Sequence, residues 1–145
     1  MKKSSNATKQ LDDAVFGKME YKHSWYKMQS IRWWGIQELD VKITAHAYTG
    51  KNITEQQRNA FIEYQREIED IILNSAPILR DSLHSIFDVN YTTEELFIEL
   101  TPRTVLFLED GDWGILFDSK SDIEHGIALY KHNGIWKAGP QDDFL

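Results

Sequence analysis

The stretch from Arg103 to Leu145 breaks into four short apolar runs, separated by turn chemistry at Asp110-Gly111, around Ser119 to Glu124, and at Asn133-Gly134. Asp-Gly and Asn-Gly supply the positive φ angles that tight hairpins need, and the runs between them are rich in aliphatic and aromatic side chains. Few folds accept that punctuation. The pattern predicts a four-stranded antiparallel meander.

Upstream the signals are alternating. Asp13 to His23 reads as a first strand, with Phe16-Gly17 as a bulge or turn. Ser24 to Trp34 reads as a second, with Trp25, Lys27, Gln29, Ile31 and Trp33 on one face and Tyr26, Met28 and Trp34 on the other. Gly35 breaks it. From Gln37 to Tyr48 the period of two is cleanest, with Leu39, Val41, Ile43, Ala45 and Ala47 opposite Asp40, Lys42, Thr44, His46 and Tyr48. A helix follows: Thr54 and Gln57 have the spacing of a capping box, and Ile53 that of a hydrophobic staple. Phe61, Tyr64, Ile68, Ile71, Ile72 and Ser75 fall on one face of it, with Glu63, Arg66, Glu67 and Asp70 mostly opposite. Pro77 is expected to end or kink this helix, because it lacks a donor and restricts Ala76. A second helix is expected from Pro77 to Asp88, and Thr93-Glu94-Glu95 caps one more short turn.

The expected fold class is therefore α+β: an N-terminal three-stranded antiparallel sheet, a central helix pair and a C-terminal four-stranded antiparallel meander. The helices cover one face of the sheets, whether or not these are continuous. Strands segregated from helices argue against a doubly wound parallel fold. Residues 1–12 are polar and read as a flexible tail, and 13–145 as one domain of ordinary size.

Composition narrows the function classes. The chain has no cysteine, which removes disulfides, thiolate catalysis and Cys-type zinc sites and suits a reducing compartment. Lys2 and Lys3 carry the charge of a signal-peptide start, but Ser4 to Thr8 follow where an apolar region belongs. No run approaches the roughly 20 apolar residues of a membrane span, so a soluble cytoplasmic protein is expected. The net charge of −7 is uneven: residues 1–35 hold 7 basic and 3 acidic side chains, 36–100 hold 5 and 12, and 101–145 hold 4 and 8. A chain acidic over its bulk is a poor nucleic-acid binder and suits a partner with a basic surface. Solubility alone accounts for the charge equally well.

The most chemical-looking spot is Asp122, Glu124 and His125. A His beside carboxylates suits a general base, or joins Asp118, Asp122 and Glu124 around a divalent metal in a small hydrolase. Adjacent strand residues point to opposite faces, however, and the spacing matches neither His-Glu-x-x-His nor a calcium loop. A solvated turn with a locally bonded His125 is the simpler account. His23, His46, His84 and His132 are scattered singly, Ser82 and Ser85 lack a nucleophile elbow, and the glycines form no phosphate loop. Trp25, Tyr26, Trp33 and Trp34, interleaved with Lys22, Lys27 and Arg32, suit a base-stacking platform but fit a packed strand pair better. Glu109, Asp110, Asp112 and Asp118 cluster at the ends of one predicted hairpin, with Asp142 and Asp143 after the last strand. If the meander gathers these ends, with Asp122 and Glu124, they make a negative rim for a partner; a solvated edge that blocks aggregation is the alternative.

The pattern Asp122, Glu124-His125-Gly126-Ile127-Ala128, then Asn133-Gly134, then Gly139-Pro140-Gln141-Asp142 resembles the ending of a family of small uncharacterised bacterial domains. The segment from Val15-Phe16-Gly17 to Trp25, and Ile53-Thr54-Glu55-Gln56-Gln57, are similar to the same family, so the resemblance covers most of residues 13–143. Such domains are regarded as immunity proteins of polymorphic toxin systems, including contact-dependent growth inhibition. The resemblance implies a non-enzymatic protein without cofactor that binds and blocks one toxin domain, a basic nuclease being the expected kind. It supplies no catalytic residue. A housekeeping interaction domain is the remaining alternative.

Overall fold

The computed structural model describes residues 9–34 and 37–145; the first eight residues of the expected tail and the break at Gly35 lie outside them. The elements in chain order are β1 (Lys9–Asp13), β2 (Gly17–Lys22), β3 (Ser24–Trp33), β4 (Gln37–Ala45), α1 (Glu55–Phe87), α2 (Thr93–Glu99), β5 (Leu100–Phe107), β6 (Trp113–Ser119), β7 (Asp122–His132) and β8 (Ile135–Pro140), followed by a 3-10 turn at Gln141–Asp143.

The strands form one eight-stranded sheet in sequence order, which overturns the expected division into a three-stranded sheet and a separate meander. The joint is β4 against β5, the one parallel pairing, with Lys42 to Ala45 opposite Thr104 to Phe107. A parallel neighbour requires a crossover, and the two helices are that crossover. Val41, Ile43, Ala45, Val105 and Phe107 are fully buried on the helix-covered face, so the joint is the middle of the core. Alternation specifies that each strand has an apolar face; it does not specify which strand lies beside which.

The N-terminal part has four strands, not three. The expected first strand turns back at residues 14–16, where Asp13 Oδ2 accepts the N–H groups of Val15 and Phe16, both at 3.0 Å, and Gly17 takes φ 82°. Lys9 to Asp12, expected as tail, are the body of β1, paired with β2.

The expected helix pair is one 33-residue helix plus a short one. Helix α1 starts at the predicted capping box, Thr54 Oγ1 accepting from Gln57 N and Gln57 Oε1 from Thr54 N. It runs through Pro77 and ends at Asp88 in the left-handed region. An interior proline costs a helix about 3 kcal/mol. The turns beyond it bury Leu79 and Leu83 completely, and each buried leucine returns about 1.5–3 kcal/mol. Continuation wins. Pro77 is also exposed, as is Leu73, whose carbonyl loses its helical donor. Helix α2 has its own capping box, between Thr92 and Glu95.

Both helices pack on one sheet face around stacked and edge-on rings, among them Phe16, Phe61, Tyr64, Phe107 and Trp113. Trp25 and Trp33 are buried in that core. Trp34, expected beside Tyr26 and Met28, takes φ 52° and turns to the helix side, where it stacks on Phe97 at 4.2 Å. The opposite face carries a small second cluster of Leu106, Ala128 and Phe144, the last folded back by the 3-10 turn onto Tyr130. No helix among the described residues is long and apolar enough to cross a membrane.

Candidate partner-binding surface

The strand directions settle where the predicted acidic residues stand. Successive turns of a meander fall at opposite ends of its strands, and the seven residues of β6 put about 20 Å between its two ends. Glu109, Asp110 and Asp112 lie at one end, in the β5–β6 turn. Asp118, Asp122, Glu124, Asp142 and Asp143 lie at the other. The eight residues do not form one rim.

At the first end the carboxylates are tied to neighbouring elements. Glu109 Oε1 stands 3.3 Å from His46 Nδ1, and its backbone carbonyl accepts from Thr54 Oγ1 at 2.9 Å, joining the turn to the helix cap. Asp110 Oδ1 accepts from Asp112 N at 2.9 Å, and Asp112 Oδ2 is 3.1 Å from His132 Nδ1. Helix α1 contributes Glu63, paired with Lys131, and the hydrogen bond to Glu63 raises the Lys131 pKa, with Glu67 adding to it. Glu63, Asp112, Lys131 and the Asn133-Gly134 turn border one hollow of about 250 Å³. Carboxylates from two elements thus share this end: Glu109, Asp110 and Asp112 from the turn, and Glu55, Glu63 and Glu67 from the helix.

At the second end Asp118 pairs with Arg103 at 2.7 Å, with both side chains largely in solvent, where such a pair contributes about 0–1 kcal/mol. His125 bonds locally: its Nδ1 is 2.9 Å from Asp122 Oδ1, which also accepts from His125 N at 3.2 Å. That hydrogen bond and the Asp122 charge raise the His125 pKa, and Asp142 and Glu124 add to the effect. Among the described residues no group of three His, Asp or Glu side chains is placed to hold a metal ion. Gly126, next to His125, takes φ 66°, and a Cβ there would stand 2.7 Å from Phe117 O, so the register shift where β7 meets β6 depends on glycine.

Two carboxylates that sequence reasoning passes over are the buried ones. Burial pushes Asp13 up, but hydrogen bonds from Arg58, Phe16 N and Val15 N outweigh it and its pKa lies below the usual carboxylate range. Burial likewise pushes Glu99 up, and donors from Ser119 Oγ at 2.6 Å, Ser121 N at 2.7 Å, Ser121 Oγ at 3.0 Å and Tyr91 OH at 3.3 Å outweigh it. Asp13 fastens the β1–β2 corner to α1, and Glu99 fastens the end of α2 to the β6–β7 turn. The Asp13 corner has a readable signal, an Asp before a Gly-containing turn. Glu99 has none. These two groups hold the fold; the surface carboxylates stand at both ends of the meander, and the end at the β5–β6 turn has those of α1 beside it. No protein-family model matches this chain, and neither a curated protein nor a solved structure does.

Proposed function

We propose that this chain is an immunity protein of the antitoxin type: a cytoplasmic, non-enzymatic protein that binds a cognate bacterial toxin domain and covers its active site. The expected toxin is a basic nuclease. The observation that carries the reading is the acidic end of the molecule, where Glu109, Asp110 and Asp112 on one turn and Glu63 and Glu67 on α1 present like charge from different elements. Such a surface complements a basic active-site cleft and steers its approach. The acidic balance of residues 36–145 and the family resemblance of the turn-rich C-terminal motifs support the same reading.

The test is association with the toxin domain encoded by the neighbouring upstream gene. Fast, salt-sensitive binding is expected at low ionic strength. Changing Glu109, Asp110 and Asp112 together to Lys, in a variant shown to keep its circular dichroism, should slow association about tenfold or more while changing dissociation less. Absence of binding at low salt rejects the toxin reading. An unchanged association rate with intact affinity rejects this end as the interface.

A further inference from the structure

The last strand of the sheet is an open edge with a groove beside it. Among the described residues strand β8 pairs only with β7, and no described strand meets the N–H and C=O groups on its outer side. Along that edge, between β8 and α1, lies a cavity of about 160 Å³. Ile71, Ile78, Leu129 and Trp136 form its apolar floor, with Asp70 and Asn74 at its mouth. A dry cavity of about 150 Å³ accommodates benzene, so this one takes a single leucine, methionine or phenylalanine side chain.

Charge defines what flanks that side chain. Glu63, Glu67, Asp70, Asn74 and Asp81 recur at intervals of four, three, four and seven residues, which places them in one stripe along α1. Asp70 and Asn74 line the groove and Glu63 reaches Lys131 of β7, so the stripe runs on the side of the helix next to the open edge. Lys137 belongs to the other sheet face: its partner Tyr130 is in the cluster with Phe144. The helix-side wall is therefore acidic.

The geometry points to a docking groove for an extended, basic segment of a partner protein, which adds to β8 as a ninth strand. Its backbone pairs with the free edge, one apolar residue enters the cavity, and Lys or Arg residues two positions to either side meet the α1 stripe. A second copy of this chain is the poorer occupant. Pairing β8 with β8 would set two acidic stripes side by side on one continuous sheet face, in molecules that each carry a net charge of −7. The inference does not require the toxin reading: the two surfaces share Glu63 and Glu67, but the β8 edge and the cavity at Asp70 and Asn74 take no part in that reading, and the variants below change only these.

The probe is a fluorescently labelled synthetic heptapeptide, Thr-Lys-Thr-Leu-Thr-Lys-Thr, titrated with the full chain at low salt. Binding is expected, with β8 amides becoming protected from hydrogen exchange in the complex. Asn74→Trp, which fills the mouth from an exposed helix position, should weaken binding at least tenfold, and Asp70→Lys several-fold. Replacing the central leucine of the probe by aspartate should weaken it as strongly. Unchanged circular dichroism shows that each variant is folded. Absence of binding at millimolar peptide, or equal affinity in Asn74→Trp, overturns the groove. A dimer of the chain alone in sedimentation, abolished by Asn74→Trp, overturns it in favour of self-association.

Discussion

Glu99 is a carboxylate with four donors around it, and those donors outweigh its burial to hold its pKa low. Because its folded pKa is lowered, its stabilisation is complete above the unfolded value of about 4.3 and is lost as pH falls through the folded value. Glu99→Gln brings an NH₂ group to a site lined with donors, leaving one of them unpaired at a cost of about 1–3 kcal/mol. Denaturant midpoints should show that loss at pH 7 and a narrowing gap below pH 4, where the wild-type carboxyl is itself protonated. A gap independent of pH would mean that shape, and not charge, is what Glu99 supplies. Residues of this kind are illegible in sequence because a glutamate at a helix end reads as solvated. The Thr54 and Gln57 pair was legible, because capping is a local interaction at fixed spacing.

Among elements, α1 tests local rules against distant ones. The expectation of a stop at Pro77 rests on a missing donor and a ring clash, both confined to one turn. The outcome rests on Ile72, Leu79 and Leu83 packing against strands far away in sequence. Pro77→Ala restores the hydrogen bond from residue 77 to Leu73 O, a gain of about 3 kcal/mol, and loosens the unfolded chain by about 1 kcal/mol. The net gain of about 2 kcal/mol should raise the melting temperature by roughly 4–8 °C. A melting temperature that falls would show that the proline sets a curvature the core needs. The acidic turns illustrate the same limit: the carboxylates are legible as a count, and the alternation of turns in a meander already divides them between two ends. What sequence withholds is that α1 adds Glu63 and Glu67 to one of those ends, because that follows from where the helix crosses the sheet.

At the scale of the molecule, six of the seven strand pairings join sequence neighbours through short connections, and one, β4 with β5, does not. That parallel joint has a kinetic meaning. Hairpins close in about 1–10 μs, whereas pairing Ala45 with Phe107 must first draw together the ends of a connection that includes both helices. The search for that one pairing is the expected slow event, for which the hairpins on either side would wait. Val105→Ala, at the joint, should therefore slow refolding several-fold with little change in unfolding, while Trp136→Ala, on the outer strand, should act mainly by speeding unfolding. Stopped-flow chevrons separate the two, and a Val105→Ala refolding limb that overlays wild type would place the barrier elsewhere. Until the joint closes, each half of the sheet exposes a central strand as a temporary edge, and the interval before closure is when this chain is most open to pairing with the wrong neighbour.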